Sequence, residues 1–235
     1  MSSKVSIIFS TFNELSLDLL GSSLSSLSKL ENVEVIIVDG GSTDGTIDLI
    51  EKFPVTLIRS EESSRAKRLN IGIEVSSCDL IILHHPRSSL DPRGVDYLVD
   101  NQIHLDWGGF THQFIESHPL LTFTSWYSNE VRGKIRGIVY LDHCIFFKKS
   151  LIEETPYVPE VDIFEDTEFS KKLLNKYVVT ILPFLSETSA IRFTKNGLYK
   201  QLVLNILMKV CFHIGLSDKQ MNKVYEKGLG LNTKY

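Results

Sequence analysis

The stretch Val35-Ile36-Ile37-Val38-Asp39-Gly40-Gly41-Ser42-Thr43-Asp44-Gly45-Thr46 decides the fold of this chain. Its four consecutive apolar residues predict a strand buried on both faces, as in a parallel sheet covered by helices. The strand ends at Asp39, and the two glycines after it allow a sharp turn and a close approach of another group. We expect Ser42 or Thr43 to cap the helix that follows. The stretch therefore predicts a carboxylate at the carboxyl end of a central strand, where open α/β sheets bind ligands.

Taken alone, these residues favour an ordinary strand-turn-helix joint in which Asp39 is a turn residue. Their order in residues 39–46, Asp-Gly-Gly-Ser-Thr-Asp-Gly-Thr, resembles the second-strand motif of family 2 glycosyltransferases. The resemblance implies an α/β chain with the GT-A fold: a Rossmann-like mixed sheet, mostly parallel and flanked by helices, followed here by C-terminal helices. It also implies that Asp39 contacts the base of a nucleotide-sugar donor, with Gly41 and Asp44 among the donor-binding residues.

Length and composition fit one folded unit with an appendage. The chain has 235 residues, of which 43% are hydrophobic and 23% are charged, as in globular proteins. We expect a transferase-like domain at residues 1–196 and a helical appendage at 197–235. The formal net charge of -4 argues against general nucleic-acid binding. Three separated cysteines and the lack of a secretory signal or a long apolar run predict a cytoplasmic location.

The segment after the first predicted strand argues against a dinucleotide-binding protein. Val5 to Phe9 predict that strand, and Ser10-Thr11-Phe12-Asn13-Glu14 follows without any glycine, whereas a dinucleotide fingerprint needs three. The tract resembles the Thr-Tyr/Phe-Asn-Glu loop of family 2, which lines the nucleoside pocket. The resemblance thus implies Thr11, Asn13 and Glu14 as donor-binding residues. Capping of the next helix by the same residues is the other interpretation, and the two are compatible.

A basic cluster opens a later predicted helix. Residues 63–70, Ser-Ser-Arg-Ala-Lys-Arg-Leu-Asn, place three cations at the helix start, where they oppose the helix dipole and predict an anionic partner. A solvated basic turn is the alternative. The segment resembles Gly-Arg-Ala-x-Gln-x-Asn of one family branch, with Ser64 for the glycine and Arg68 for the glutamine. The resemblance implies that Arg65 contacts the diphosphate or nucleoside, and that Asn70 is donor-binding.

The chain departs from the family at the metal motif. The strand predicted at Asp79 to Leu83 is followed by His84-His85-Pro86-Arg87-Ser88, where the family has Asp-x-Asp, or His-Ala-Asp in the closest branch. The last Asp of that motif ligates a divalent metal that holds the diphosphate. Pro86 stands at this position and has no ligand atom. The resemblance implies Mg²⁺ or Mn²⁺, but the sequence lacks its carboxylate ligand and leaves the metal site unknown.

Three accounts of this departure are open. In the first, His84, His85 and Arg87 supply positive charge to the diphosphate without a metal. In the second, a carboxylate from elsewhere in the chain ligates the metal. In the third, the chain is a non-catalytic or impaired transferase-fold protein that binds a nucleotide or a partner. We favour the first two accounts, in which enzymatic activity survives.

The acceptor side is predicted from Phe164-Glu165-Asp166-Thr167-Glu168-Phe169-Ser170. Family 2 transferases place a Glu-Asp pair at the start of a helix that faces the acceptor, and the Asp is the general base. The resemblance assigns that role to Asp166, beside Glu165. Repulsion among neighbouring carboxylates raises the pKa of one of them, as a base requires. The alternative is the ordinary preference of acidic residues for the first turn of a helix.

Two further residues are candidates on the acceptor side. Asp142 matches the branch pattern Tyr-Gly-Asp-Gln-Gly-Ile-Phe, although a hairpin-turn Asp is an equally good interpretation. Arg192 matches an arginine of Thr-Ser-x-Arg-Arg-Trp and is placed to reach phosphate or acceptor. For the surrounding segments we expect short strands at 137–140 and 144–147, and a loop at 132–136.

Together, the resemblance implies an inverting glycosyltransferase that moves a sugar from a nucleotide-diphosphate donor to a hydroxyl acceptor in one displacement. The donor sugar, its base and the acceptor are not determined by the sequence. Residues 198–216 predict a helix that is apolar nearly all round, and such helices are usually buried. We expect it to pack on the domain or at a homodimer contact. A peripheral membrane contact is the alternative.

Overall fold

The computed structural model describes residues 4–15 and 19–227, and all structural statements refer to these residues. Eight strands form one sheet within this part of the chain. Their bounds are β1 Val5–Thr11, β2 Val33–Asp39, β3 Thr56–Arg59, β4 Leu80–His84, β5 Ser88–Leu90, β6 Trp107–Phe114, β7 Ile145–Lys148 and β8 Val179–Thr188. The strand predicted from the opening stretch is β2, and it runs from Val33 to Asp39 as expected.

Helices lie on both sides of the sheet. Their bounds are α1 Leu19–Leu27, α2 Thr46–Ile50, α3 Arg65–Val75, α4 Pro92–Asp100, α5 Pro119–Trp126, α6 Glu165–Leu174, α7 Ile191–Asn196, α8 Leu198–His213 and α9 Asp218–Lys227. A π-helix, Tyr127–Ile135, continues directly from α5. No helix of the described ranges has both the length and the apolar character needed to cross a bilayer.

The strand order in the sheet is β3-β2-β1-β4-β7-β6-β8-β5. Neighbouring strands are parallel in four ladders and antiparallel in three. The central strands β2, β1 and β4 are mutually parallel, so their carboxyl ends meet at one edge. The expectation of a mixed, mostly parallel sheet flanked by helices is confirmed.

Side chains alternate between the two faces of the sheet, and each face forms its own core. Ile7, Phe9 and Ile37 pack with the buried leucines of α1 and α4. Ile8 and Ile36 pack on the other face, with the buried side chains of α3 and α6. Successive residues of a strand point to opposite faces of the sheet. This alternation therefore sets which side chains at the ends of the strands point toward the site.

Four local expectations are wrong, for different reasons. Helix α2 has no side-chain cap, since its N-cap residue is Gly45 at φ +94°. Residues 137–140 are not a strand, because the chain there leads into a short 3₁₀ turn at Leu141–His143. The expected loop at 132–136 belongs mostly to the π-helix, whose residue Arg132 is buried. Helix α8 is not buried against the domain on most of its faces, because only Gln201 and Met208 of its side chains are buried, and the alternative of a homodimer contact is untested.

Candidate active site

Two adjoining cavities lie over the carboxyl edge of the sheet. The first has a volume of about 250 Å³ and contains Asp166 and Asp142 in its wall. The second has a volume of about 110 Å³ and contains Glu14 and Glu165. Both are lined by the same group of residues at their junction, so they form one continuous site. The shared residues are Arg65, His85, Arg87, Ile163, Arg192 and Tyr225.

The loop after β2 is held by Asp39 itself. This fully buried carboxylate accepts hydrogen bonds at Oδ1 from the Gly41 and Ser42 amides, at 3.0 and 2.8 Å. Its Oδ2 accepts from the Thr11 and Ser42 hydroxyls, at 2.8 and 2.6 Å. Asp39 therefore ties β1 to the turn, with Gly41 at φ +90°. Its contact with a donor base, and those of Thr11 and Gly41, stay predictions.

The neighbouring loop after β1 is fixed to the same turn. The Asn13 side-chain oxygen accepts from the Thr43 amide at 2.9 Å. Asp44 accepts from the Leu15 and Thr46 amides, at 3.1 and 3.0 Å. These bonds satisfy the polar groups of Asn13 and Asp44 locally, so both residues shape the loops, and neither lines the two cavities. Their predicted donor contacts are untested.

The close approach expected at the glycines occurs at Gly40. A Cβ atom on Gly40 would lie 2.6 Å from Nη1 of Arg68. That arginine is buried and donates to the Ser10 hydroxyl and to the carbonyls of Glu62 and Ser63, at 2.8, 2.7 and 2.7 Å. Arg68 thereby anchors the segment before α3 to the end of β1. Arg68, which stands where the family branch has a glutamine, therefore has a structural role below the site.

The second cavity is walled by one buried ion pair and by a second pair whose arginine is partly exposed. Arg87 Nε donates to Glu14 Oε2 at 2.7 Å, and both side chains are nearly buried. Arg65 pairs with Glu165 through two of its guanidinium nitrogens. Because Glu14 and Glu165 balance these arginines, the walls carry positive groups without leaving a buried charge uncompensated. Glu14, Arg65 and Arg87 meet here, as their predicted donor-side role requires.

Asn70 and His84 do not reach the cavities. The Asn70 side chain donates to the Val158 carbonyl at 2.9 Å and accepts from the Val158 amide at 2.8 Å, which fastens a distant loop to α3. The ring of His84 is fully buried and stacks on Phe9 at 4.3 Å. Burial lowers the pKa of His84 to about 4. The expectation that His84 supplies positive charge is therefore wrong, because the ring is neutral at neutral pH.

His85 does line both cavities, but as a neutral group. Its Nδ1 accepts from the Arg87 amide at 3.1 Å, which leaves Nε2 protonated and available as a donor. Burial, together with the charges of Arg65 and Arg87, holds the pKa of His85 well below its usual range. The positive charge that the sequence assigned to the histidines comes from the arginines instead.

Asp166 stands at the start of α6 and faces the first cavity. Its Oδ2 accepts from the Leu141 amide at 3.2 Å. Burial raises the pKa of Asp166 to about 7, with the charge of Glu165 adding to the rise and that of Arg65 opposing it. A carboxylate with a pKa near neutrality is suited to take a proton from a hydroxyl group. The carboxylate repulsion expected from the sequence operates, with Glu165 as its source.

Asp142 belongs to a polar cluster at the floor of the first cavity. Its carboxylate lies 3.7 Å from Nη2 of Arg132 and 3.7 Å from Nε2 of His112. His143 completes the cluster, with Nδ1 donating to the Phe110 carbonyl and Nε2 accepting from the Ser128 hydroxyl, at 2.9 and 2.7 Å. Burial keeps both histidines neutral by lowering their pKa values. Arg132 is therefore the charge that compensates Asp142 at neutral pH.

We expect Asp142→Asn to shift the pH dependence of the sugar transfer that the family resemblance implies. The Asp142 charge adds to the rise in the pKa of Asp166, so its removal should lower that pKa. The acidic limb of the rate profile should shift to lower pH by some tenths of a unit to about one unit. Glu168 lies in the first turn of α6, as Asp166 does, and its side chain is partly exposed. Glu168→Gln should therefore leave the acidic limb at its original pH. A limb that stays at its original pH in Asp142→Asn would show that the two carboxylates are not coupled.

The described residues contain no preformed site of three protein ligands for a divalent metal ion, and whether a metal is used stays a prediction. Nowhere in the described ranges do three His, Cys, Asp or Glu side chains form a group that could hold one. Pro86 lines the second cavity at the position of the missing carboxylate. The nearby carboxylates of Glu14 and Glu165 are each paired with an arginine. These two carboxylates, of the kind that Mg²⁺ and Mn²⁺ prefer, are thus already engaged, whereas Asp162 also lines the second cavity.

Arg192 is the cation at the junction with the least local compensation. Its Nη1 donates to the Tyr225 hydroxyl at 2.6 Å. Among the side chains that the structure describes, which include neither residue 224 nor residues 226–227, no carboxylate lies within ion-pair distance of it. Its positive charge is therefore available to an anion that enters the junction. The sequence placed Arg192 on the acceptor side or at phosphate, and the structure puts it in the walls of both cavities.

The C-terminal helices contribute walls that the sequence did not reveal. Gln201, Asn205 and Lys209 follow each other at four-residue intervals on α8 and line the first cavity, and Tyr225 of α9 lines both. Burial lowers the pKa of Lys209 to about 8. The four-residue spacing of these polar groups is the signal that could have identified this face. The division at residue 196 stays a prediction, and the site draws on both sides of it.

Comparison with known proteins identifies the first part of the chain. Residues 6–92 match the sequence profile described as Glycosyl transferase family 2. A curated relative, the poly-beta-1,6-N-acetyl-D-glucosamine synthase of Staphylococcus aureus, is 27% identical over 201 residues. The alignment covers 74% of this chain and 47% of the relative, so the chain spans about half the length of the curated relatives it matches.

Solved structures share the fold over nearly the whole chain. S. aureus TarS 1-349, solved in complex with UDP-GlcNAc, matches with a TM-score of 0.62 at 17% identity, covering 95% of this chain and 71% of that one. The mannosyltransferase PcManGT from Pyrobaculum calidifontis, in complex with GDP-Man and Mn2+, matches with a TM-score of 0.59 at 18% identity, covering 88% and 65%. The fold expected from the motifs is thereby confirmed as GT-A.

Proposed function

We propose that this chain, whose residues 6–92 match the profile of Glycosyl transferase family 2 and whose fold is GT-A, transfers a sugar from a nucleoside diphosphate to a hydroxyl acceptor. The single observation that carries the proposal is the position of Asp166. Its carboxylate, with a pKa raised to about 7, faces a cavity that joins an arginine-lined junction. A base and a diphosphate site side by side are what such a transfer needs.

In the proposed reaction, the acceptor lies in the first cavity and the nucleoside in the second. Asp166 takes the proton of the acceptor hydroxyl as its oxygen bonds to the anomeric carbon of the sugar. The bond from that carbon to the diphosphate oxygen breaks, and the electron pair leaves with the nucleoside diphosphate. Attack opposite the leaving group inverts the anomeric configuration. Glu165 holds Arg65 in place beside the base.

Charge on the leaving diphosphate is stabilised by the junction. Arg65, Arg87 and Arg192 line it, with the Nε2–H of neutral His85 as a further donor. Guanidinium groups bind phosphate in bidentate geometry and remain charged at all working pH values. We propose that these arginines replace the metal that the Asp-x-Asp motif would bind. This proposal keeps the first of the three accounts, in which positive side chains act without a metal. It assigns the charge to arginines and not to the two histidines.

The donor to test first is UDP-N-acetylglucosamine. The curated relative is named for an N-acetylglucosamine polymer, and TarS was solved with UDP-GlcNAc. PcManGT was solved with GDP-Man, so GDP-mannose is the natural second donor.

Calorimetric titration of UDP and of GDP, each with Mn²⁺ and with chelator, tests the donor site. We expect one of the two nucleotides to bind, with an affinity that chelator changes less than about twofold, because arginines carry the contact. Binding only with Mn²⁺ would show that a ligand from elsewhere holds a metal. Absence of binding for both nucleotides, by protein shown to be folded, would support a non-catalytic protein.

A further inference from the structure

The outer face of α8 is an exposed apolar stripe. Six of its side chains recur at the spacing of one helical face, and between 48% and 74% of each is exposed. They are Tyr199, Val203, Ile206, Leu207, Val210 and Ile214. We call this set the α8 stripe. The opposite face of the same helix, at Gln201, Asn205 and Lys209, lines the first cavity. Helix α8 thus lies between the site and an apolar surface that is exposed in the part of the chain that the structure describes.

Exposed aromatic rings lie on α5, a helix that contributes one residue to the lining of the same cavity. Phe123 and Trp126 of α5 are more than half exposed, and their ring centroids are 5.7 Å apart. Thr124, between them, lines the first cavity together with Lys209 of α8. Amphipathic rings such as those of Trp126 and Tyr199 favour the boundary between lipid and water.

The charged residues of α7 and α8 themselves are of one sign. Between Glu187 and Asp218 the sequence contains four cations and no carboxylate, and the cations are Arg192, Lys195, Lys200 and Lys209. Lys195 and Lys200 are exposed. Arg136, which is also exposed, is close enough to help lower the pKa of Lys209. The protein as a whole is acidic, so this positive region is a local feature.

This combination distinguishes a membrane from a second copy of the chain. A second copy docked through the stripe would bring no carboxylate from its own α7 or α8 to these lysines, because neither helix contains one. Anionic head groups would instead neutralise Lys195 and Lys200 while the apolar side chains enter the acyl boundary. We propose that the α8 stripe docks on an anionic lipid surface. The docking does not depend on the proposed sugar transfer.

Docking in this way would bring the first cavity to within about the 10–12 Å width of one helix of the lipid surface. The side chains of Gln201, Asn205 and Lys209 point from α8 into that cavity while the stripe enters the lipid. An acceptor carried by a lipid could then present its hydroxyl to Asp166 without leaving the membrane. The surface and the cavity are linked by a single helix, which fixes their separation.

Co-sedimentation with vesicles tests the proposal. We expect the 235-residue chain to bind vesicles of phosphatidylcholine with about 30% phosphatidylglycerol, and to bind pure phosphatidylcholine at least roughly tenfold more weakly. The double variant Val203→Glu/Val210→Glu should lose at least about tenfold in binding, because charges would enter the acyl boundary. Lys195→Glu/Lys200→Glu should lose a similar factor, and high salt should weaken the wild type.

The matched control is Ile103→Glu/Val178→Glu. Both of these residues are 83% exposed and lie near the starts of β6 and β8, whereas α8 follows the far end of β8. This variant should bind as the wild type does. Equal binding to both vesicle types, or equal loss in stripe and control variants, would overturn the proposal. A wild-type dimer that Val203→Glu/Val210→Glu dissociates, without vesicle binding, would assign the stripe to a second copy instead.

Discussion

Replacing Asp166 by Asn is expected to lower the rate of sugar transfer by roughly 10²–10⁴-fold. Asparagine keeps the shape of the side chain but has no oxygen that can take a proton. The substituted group faces the first cavity, whereas the arginines stand at the junction. Nucleotide affinity should therefore change by less than about threefold. Steady-state kinetics together with calorimetric titration would separate the two effects.

The same substitution should change the pH dependence of activity and stability. Because the pKa of Asp166 is raised to about 7, wild-type activity should rise through that pH as the carboxylate ionises. Its folded-state pKa lies above the unfolded value, so stability is greatest below the unfolded pKa and falls as pH rises through about 7. Asp166→Asn removes this loss of folding stability at high pH. Its midpoint of thermal unfolding should exceed that of the wild type at pH 8, and the difference should shrink at pH 4.

Glu168→Gln is the control for these measurements, since Glu168 lies in the same first turn of α6 and pairs with Lys171 at the surface. It should retain wild-type turnover and pH dependence. Undiminished turnover in Asp166→Asn would remove the base assignment. Loss of turnover in both variants would instead indicate damage to the helix.

Replacing Arg192 by Ala is expected to weaken nucleoside diphosphate binding by roughly 10–100-fold, the size of one or two charge-assisted hydrogen bonds. Arg192 stands at the junction and bonds to the Tyr225 hydroxyl. Its removal strands no buried carboxylate, unlike removal of Arg65 or Arg87, which would leave Glu165 or Glu14 without a partner. The change therefore reports on ligand binding with little effect on folding. Calorimetric titration and thermal unfolding of the same sample would check both.

Two companion variants sharpen this prediction. Arg192→Lys should recover only part of the affinity, because an ammonium group cannot offer the planar fork. Lys195→Ala, an exposed change on the same short helix, should leave affinity unchanged. Added Mn²⁺ should not restore binding to Arg192→Ala. Restoration by Mn²⁺, or an unchanged affinity in Arg192→Ala, would contradict a diphosphate site built from arginines.

Some sequence expectations failed because they judged a residue by its type alone. Two adjacent histidines suggested positive charge, but the parity of β4 turns His84 into the core, where burial keeps it neutral. Residues 198–216 suggested a buried helix, yet α8 places apolar side chains outward. The burial of a mostly apolar helix depends on the segments that pack against it. The sequence of the helix alone does not determine which segments these are.

The sequence by itself determined the strands β1, β2 and β4, the fold class, and the order of the motifs along the carboxyl edge of the sheet. The strands follow from periodicity and from turn residues, which act over a few positions of the chain, whereas the fold class and the motif order follow from the resemblance to family 2 glycosyltransferases. Only the tertiary structure decided that Arg65 pairs with Glu165, that Arg192 joins Arg65 and Arg87 at one junction, and that α8 closes the cavity over Asp166. Such groupings arise from the packing of distant segments, and the protonation of buried groups follows from that packing rather than from local sequence.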